Sequence, residues 1–141
     1  MNALAVGIML LQTWIAAPSP ATYNEAYRIA MEENRPMLVL VGAEWCPACA
    51  TMKRSTMPRM AQSGKLDEVV FTIVDTDRES KLASQLMRGS SIPQLILFWE
   101  AEDGWHRTQL TGAQDPGTVE ALIARATPKS TPRASGVAGG N

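Results

Sequence analysis

The sequence predicts an α/β fold in which a central mixed four-stranded sheet is flanked by helices. Segments with a helical apolar period alternate with short, continuously apolar segments, a pattern typical of strands covered on both faces. A turn signal at residues 102–104 separates the last two strands, which we expect to pair as an antiparallel hairpin. Because segments of different composition lie at both ends of this pattern, we expect one domain over residues 22–126.

The first predicted helix is capped by Thr22 and runs to about Asn34. Its apolar side chains recur at the spacing of one helix face, which we expect to pack on the sheet. They are Tyr23, Ala26, Tyr27, Ala30 and Met31. Residues 35–36 (Arg-Pro) end the helix, and residues 37–41 follow as a buried strand.

The second predicted helix covers residues 47–62, with a kink or an early end at Pro58. Residues 69–74 form the second buried strand. One of the side chains at residues 75–77 (Asp-Thr-Asp) is expected to cap the third helix, and Gly89 to end it. The apolar face of that helix consists of Leu82, Ala83, Leu86 and Met87.

The remaining elements are a hairpin and a helix. Residues 94–99 and 105–111 form the third and fourth strands on either side of the turn. Asp115 as N-cap and Pro116 at the first helical position then begin the last helix. Its buried face consists of Val119, Leu122 and Ile123.

The two ends of the chain differ from this domain in composition. Residues 3–17 form an apolar run that is short for a membrane span but fits a secretory signal peptide, although no Lys or Arg precedes it. Ser19 and Ala21 supply the small residues of a cleavage site, so residues 1–21 are predicted to be a signal peptide or, if uncleaved, an N-terminal anchor. This predicts an extracytoplasmic protein, periplasmic or secreted. Residues 127–141, rich in Pro, Ser, Thr and Gly, are predicted to be a disordered tail.

Composition restricts the partners and cofactors. The net charge is −1 and no basic patch stands out, so we expect no nucleic-acid partner, and membrane contact only through an uncleaved N-terminal segment. Two cysteines and one histidine are too few for a disulfide scaffold or a structural zinc site. We therefore expect no metal site, and no cofactor is predicted. We also expect a monomer, with His106 on the surface of a strand.

The two cysteines have the spacing and position of a redox pair. Cys46 follows a buried strand and opens a helix, where free N–H groups and the helix dipole favour a thiolate. Cys49 lies one turn later on the same face, where its sulfur can form a disulfide with that of Cys46. Pro47 suits the first helical position, and Ala48 adds no charge. The alternatives for this pair are half of a zinc site or two structural thiols.

Two segments carry a resemblance to a known family. Residues 43–49 resemble the active-site segment of thioredoxins, and residues 88–98 resemble their second signature, a loop with a cis-proline that opens a strand. Gly112 resembles the glycine that borders the substrate groove. The resemblance covers residues 22–126 and implies a thioredoxin-like fold. The start with a helix and the predicted export signal look more like extracytoplasmic thioredoxin-like proteins, and the C-terminal domain of the thiol–disulfide interchange protein is similar in its short N-terminal part.

The resemblance implies a role for each matching residue. Cys46 would be the nucleophile and Cys49 the resolving thiol. Pro93 would be cis and place the Ile92 backbone beside the Cys46 sulfur, where it could pair with an extended substrate segment. The substrate groove would be lined by these two residues together with Trp45, Pro47, Ala48 and Gly112.

One departure from the family concerns the buried acid that thioredoxins carry in the strand before the active site. Leu40 stands at that position, and Phe71 stands where their paired lysine would be. Glu44, the nearest carboxylate in sequence, is expected to be exposed. We therefore expect water to deprotonate Cys49, and the mixed disulfide to resolve slowly.

The resemblance implies a thiol–disulfide oxidoreductase that acts on protein substrates and exchanges electrons with a redox partner protein. Because Ala48 stands where a histidine would favour a stronger oxidant, we predict a reductant, with an oxidative role still open. The alternatives are a thioredoxin-fold adaptor, a copper-handling protein, and a glutathione- or peroxide-linked enzyme. The eight methionines suggest copper, but four of them are assigned to helix packing: Met31, Met52, Met60 and Met87.

Overall fold

A computed structural model describes residues 20–126. The predicted signal peptide or anchor, except for its last two residues, and the predicted disordered tail lie outside these residues. The elements follow in chain order: α1 (Tyr23–Glu33), β1 (Met37–Gly42), α2 (Pro47–Thr51), a π-helical turn (Met52–Thr56), α3 (Met57–Gln62), a 3₁₀ turn (Lys65–Glu68), β2 (Val70–Asp75), α4 (Ser80–Leu86), β3 (Gln94–Ala101), β4 (Gly104–Thr111) and α5 (Pro116–Ile123).

The four strands form one mixed sheet in the order β2-β1-β3-β4. β1 pairs in parallel with β2 and antiparallel with β3, and β3 and β4 form the expected antiparallel hairpin. Every residue of β1 is buried, because helices cover both faces of the sheet. The predicted α/β architecture with a central mixed four-stranded sheet is confirmed. Among residues 20–126, no helix is both long and apolar enough to cross a membrane.

Two apolar clusters hold the helices on the two faces of the sheet. On one face, α3, α5 and the π-helical turn that continues α2 pack on alternate residues of β1 and β3, including Leu40 and Leu95. On the other face, α1 and α4 pack on the residues in between, including Val39 and Ile96. The disulfide segment opens the first group of helices, so its position depends on the packing of that face.

The apolar face predicted for α1 is only partly buried. Thr22 and Glu25 form a capping box, which confirms the predicted start. Ala26 and Ala30 are buried against the sheet, but Tyr27 is 52% exposed and Met31 is 45% exposed. The small alanine side chains let the helix approach the sheet closely, and the next residue around the helix, about 100° away, lies at the rim of the contact. The assignment of Met31 to core packing was therefore wrong.

The second helix continues through Pro58 with a change of winding. The five-residue π-helical turn ends at Thr56, two residues before the proline, and the Met57 N–H donates to the Met52 carbonyl. Pro58 has no N–H, and its ring would clash with the carbonyl four residues earlier in a regular α-helix. The wider turn accommodates the proline ring, so the helical winding continues into α3 and does not end at Pro58.

The start and the end of α4 differ from the prediction. The N-cap residue is Glu79, and its side chain makes no capping hydrogen bond. Asp75 instead accepts the N–H groups of Asp77 and Arg78, so it closes a turn before the helix. The helix ends at Leu86, and Gly89 lies in the following loop with φ +78°.

The ends of the described chain also contact the core. Ala21, the last residue of the predicted signal peptide, forms an isolated parallel bridge with Thr72 of β2. The Thr72 hydroxyl donates to the Ala21 carbonyl at 2.6 Å. At the other end, α5 begins as predicted, with Asp115 accepting the Thr118 N–H.

Candidate active site

The site lies where β1 ends and α2 begins. A disulfide joins Cys46 and Cys49, whose Cα atoms are 5.2 Å apart. Cys46 is the N-cap of α2, and its sulfur accepts the Cys49 N–H at 3.2 Å. Pro47 occupies the start of the helix, where a missing N–H costs nothing. The local signals of the sequence, a buried strand followed by a proline at the first helical turn, account for this placement.

The two sulfurs are shielded from solvent to different degrees. Cys46 is 5% exposed and Cys49 is fully buried. Gly42, at the end of β1, makes the burial of Cys49 possible, because a Cβ atom built on it would lie 2.9 Å from the Cys49 Sγ. Gly42 was not predicted as a site residue. The available signal was a glycine in an otherwise aliphatic strand, which often marks close approach by another group.

The second signature segment is adjacent to the cysteines, as the resemblance implies. The Ile92–Pro93 peptide bond is cis. The Ile92 carbonyl oxygen lies 3.9 Å from the Cys46 Sγ. Gly112, with φ +90°, donates its N–H to the Pro93 carbonyl at 2.8 Å. The structure thus brings Cys46, Ile92, Pro93 and Gly112 together from three separate parts of the chain.

Trp45 lies beside the disulfide on the surface. Its side chain is 69% exposed, and its indole Nε1–H donates to Asp77 Oδ2 at 3.0 Å. Asp77 was expected only as a helix cap, so its contact with the site was missed. Trp45 and Ile92 border a groove of about 500 Å³ that runs along α4. The other residues that line it are Thr76, Ser80, Ala83, Ser84, Met87, Gly89 and Ser90.

Pro47 and Ala48 form the rim of the site next to the cysteines. Pro47 is exposed, and Ala48 is half-buried against the cluster of Ala43, Cys46 and Cys49. The first turn of α2 carries no acidic residue, and its last turn carries no basic one. Within α2 itself, the electrostatic field at the Cys46 sulfur therefore comes from the helix N–H groups.

The position of the buried acid of thioredoxins is apolar in this chain. Leu40 is fully buried in the core cluster, and Phe71 packs against the same cluster. Glu44 is exposed, as expected, and pairs with Lys53 at 3.1 Å. The Leu40 side chain has no ionisable group and therefore cannot exchange a proton with Cys49.

Asp75 is the carboxylate that ends β2, directly beside Gly42 in the sheet register. Slight burial raises the pKa of Asp75, but hydrogen bonds from two backbone N–H groups and the positive charge of Lys53 outweigh it and hold that pKa below its usual value. Asp75 is therefore ionised at neutral pH, and it is committed to the turn before α4.

Within residues 20–126, no three His, Cys, Asp or Glu side chains lie close enough together to hold a metal ion. His106 stacks on Trp99 and pairs with Asp103 at 2.6 Å, on the hairpin of β3 and β4. Its partial exposure agrees with the predicted surface position.

Comparisons with known proteins point to one family. A family model described as thioredoxin-like matches residues 14–99, more than half of the chain. The thiol:disulfide interchange protein DsbD of Ralstonia nicotianae is 26% identical over 110 residues, which are 77% of this chain and 18% of that protein. The chain thus spans only 18% of the length of this relative.

Solved structures of thioredoxins have the same fold. A thioredoxin from Thermus thermophilus superposes with a TM-score of 0.62 at 21% identity, covering 74% of this chain and 82% of that one. The thioredoxin of Fasciola hepatica gives 0.57 at 20% identity, covering 77% and 97%. That of Trichomonas vaginalis gives 0.58 at 25% identity, covering 77% and 95%.

Proposed function

Because this chain belongs to the thioredoxin-like family and carries a vicinal cysteine pair, we propose that it reduces disulfides of protein substrates through Cys46 and Cys49. Its general class, a thiol–disulfide oxidoreductase, follows from the family. The observation that carries the proposal is the N–H of Cys49, which donates to the Cys46 sulfur at the start of α2. The same donor, together with the helix dipole, would stabilise a Cys46 thiolate in the reduced protein.

The reaction runs in two exchange steps. The Cys46 thiolate attacks one sulfur of the substrate disulfide, forms a mixed disulfide and expels the other substrate sulfur as a thiolate. Cys49 then loses its proton to water and attacks the Cys46 sulfur. The Cys46–Cys49 disulfide forms and the second substrate thiolate leaves, so two electrons pass from the dithiol to the substrate.

The direction of exchange depends on how strongly the site stabilises the reduced form. A very low thiol pKa makes the dithiol a poor reductant, because the thiolate is then the preferred state. Within the first turn of α2, the Cys49 N–H donates to the Cys46 sulfur, and Ala48 adds no charge. This moderate stabilisation supports reduction as the main direction.

A substrate segment would bind across the groove beside the disulfide. The Ile92 backbone, held against Cys46 by the cis bond to Pro93, would pair with an extended segment of the substrate. Trp45 would cover one side of that segment, and Gly112 the other. Pro47 and Ala48 would form an uncharged rim that admits substrates of different sequence.

The location and the partners form a second part of the proposal. The thiol:disulfide interchange relative supports an extracytoplasmic domain that receives its electrons from a separate redox protein. We propose that residues 1–21 direct export, that residues 22–126 act as a monomeric domain and that residues 127–141 form a disordered tail. Mass spectrometry of the exported protein tests the proposed export and cleavage, and we expect a chain that begins at Thr22. A product that retains residues 18–21 would keep the Ala21–Thr72 contact and move the boundary, and a full-length cytosolic product would contradict export.

Insulin-disulfide reduction tests the proposed activity. We expect the wild-type protein to reduce insulin, Cys46→Ser to be inactive, and Cys49→Ser to accumulate a mixed disulfide with the substrate. The potential of the pair, equilibrated against a dithiothreitol buffer, should be more negative than about −230 mV. A potential above about −180 mV would contradict a reductant. Stoichiometric Cu(I) without insulin activity would favour the copper-handling alternative.

A further inference from the structure

Gln94 is a fully buried polar residue directly after the cis-proline. It opens β3, between Val41 of β1 and Thr111 of β4 in the sheet register. A primary amide at a fully buried position costs free energy unless its donors and acceptor all find partners. A smaller or apolar side chain would avoid this cost, so the contacts of the Gln94 amide need an explanation.

The Gln94 side chain makes three hydrogen bonds to the backbone of the preceding loop. Its Oε1 accepts the Arg88 N–H at 3.1 Å, and its Nε2 donates to the Arg88 carbonyl at 2.9 Å. The second Nε2–H donates to the Ser91 carbonyl at 3.0 Å. The amide thus pairs with both backbone groups of Arg88, as a residue of a neighbouring strand would.

The loop tied down in this way carries the Ile92 backbone. Residues 88–91 are exposed, belong to no helix or strand, and include Gly89 at φ +78°. Such a segment would lose considerable conformational entropy if it were ordered only on binding a substrate. The Gln94 amide orders this loop before any substrate binds. The loop leads directly into Ile92, whose carbonyl oxygen lies 3.9 Å from the Cys46 Sγ.

The other side of the cis-proline is held by the backbone. The Gly112 N–H donates to the Pro93 carbonyl at 2.8 Å. Ile92 therefore lies between two anchors, and only the Gln94 anchor depends on a side chain. The amide makes its hydrogen bonds to Arg88 and Ser91 and not to either cysteine, so its loss should act on the loop before it acts on the thiols.

We propose that Gln94 is a positioning residue for protein substrates, which holds the Ile92 backbone in the orientation that an extended segment requires. The proposal rests on the proposed function, because it assumes that substrates pair with Ile92. It predicts that loss of the amide weakens exchange with protein disulfides. Exchange with a small disulfide, which needs no pairing with the backbone, would keep its rate.

The test compares Gln94→Met with Thr72→Val in the full-length chain. Thr72→Val is a matched control in this full-length chain, which retains Ala21, since it removes the hydrogen bond that the fully buried Thr72 donates to the Ala21 carbonyl, on the far edge strand. Each reduced variant is reacted with insulin and with the small aromatic disulfide known as Ellman's reagent, under conditions where circular dichroism shows it folded. We expect kcat/KM for insulin to fall about tenfold in Gln94→Met, mainly through KM, with the rate for Ellman's reagent within about twofold of wild type.

Amide hydrogen exchange gives an independent measurement. Exchange at residues 88–92 should accelerate in Gln94→Met and not in Thr72→Val, while α2 should keep its protection in both. Gln94→Glu serves if the methionine variant does not fold, because it keeps the shape and the acceptor for the Arg88 N–H but has no donor when ionised and one in place of two when protonated.

The outcomes separate the two proposals. Equal losses with insulin and Ellman's reagent, or an unchanged insulin KM, would overturn the positioning role of Gln94 and leave the proposed function intact. A wild-type protein that reacts with Ellman's reagent but never with insulin would overturn the proposed function. Faster loop exchange in Gln94→Met without any change in insulin kinetics would also overturn the positioning role.

Discussion

A Cβ atom on Gly42 would lie 2.9 Å from the Sγ of Cys49 and 3.1 Å from its Cβ. Cβ atoms essentially never approach another heavy atom so closely, and the Cys49 sulfur is tied to Cys46 and cannot move freely. The absence of a side chain at the end of β1 therefore creates the space for the buried resolving thiol.

Gly42→Ala should destabilise the oxidised protein by about 1–3 kcal/mol, the usual cost of overpacking a well-packed core. Urea denaturation of the oxidised form measures this. In a Cys49→Ala background the sulfur is absent and only the less severe 3.1 Å approach to the Cβ remains, so the same substitution should cost less. Equal costs in both backgrounds would show that the Cys49 sulfur does not set the requirement for glycine.

The mixed disulfide on Cys46 should resolve slowly, because Leu40 provides no carboxylate to take the proton of Cys49. Stopped-flow measurements should give a rate that rises with pH, since water is the acceptor and the thiolate fraction increases. Leu40→Asp should accelerate resolution and lower the free energy of unfolding, because it buries a charge in the core cluster. Resolution that is independent of pH, or as fast as in thioredoxins with the buried acid, would contradict this prediction.

Loss of the Asp77 carboxylate should release the Trp45 indole from its hydrogen bond. Asp77→Ala should therefore raise the insulin KM about two- to fivefold, because the exposed indole must then be ordered on binding. Asp77→Asn, which keeps an acceptor for the indole N–H, is the matched control and should stay close to wild type. A similar loss in both variants would indicate an effect of charge, without a role for the hydrogen bond.

The acid sensitivity of the fold should depend in part on Asp115. Hydrogen bonds from the Thr118 side chain and backbone lower the pKa of Asp115 at the start of α5. A carboxylate with a lowered pKa in the folded state stabilises the fold above its unfolded pKa of about 3.9, and this contribution is lost as the pH falls through the folded value. Asp115→Asn keeps the cap without the titration. Its melting temperature should match wild type near neutrality and fall less steeply between about pH 5 and pH 2, whereas parallel curves would contradict the assignment.

Much of the site follows from local sequence signals. The buried strand before Cys46 and the proline after it predict a thiol at a helix N-terminus, and the structure has it there. Resemblance of a second segment, over residues 88–98, predicts the cis bond at Pro93 and its place beside the cysteines. These features depend on residues that are neighbours in the chain or on a short segment that resembles a family signature over its whole length.

Other features could not be predicted because they depend on which distant segments meet. The burial of Tyr27 and Met31 was overestimated, since helix periodicity does not tell how wide a stripe the sheet covers. The cap predicted at residues 75–77 failed because Asp75 satisfies the turn before α4. Asp77 instead contacts Trp45.

By itself, the sequence determined the order of the elements, the mixed sheet and the chemistry of the Cys46–Cys49 pair, because hydrophobic periodicity, turn residues and helix-start signals act over a few residues. Only the tertiary structure decided that Cys49 lies against Gly42 and that the Gln94 amide holds the loop before Ile92. Those contacts join residues that come together only when the sheet and its helices pack, and patterns over a few residues do not specify which distant residues will be in contact.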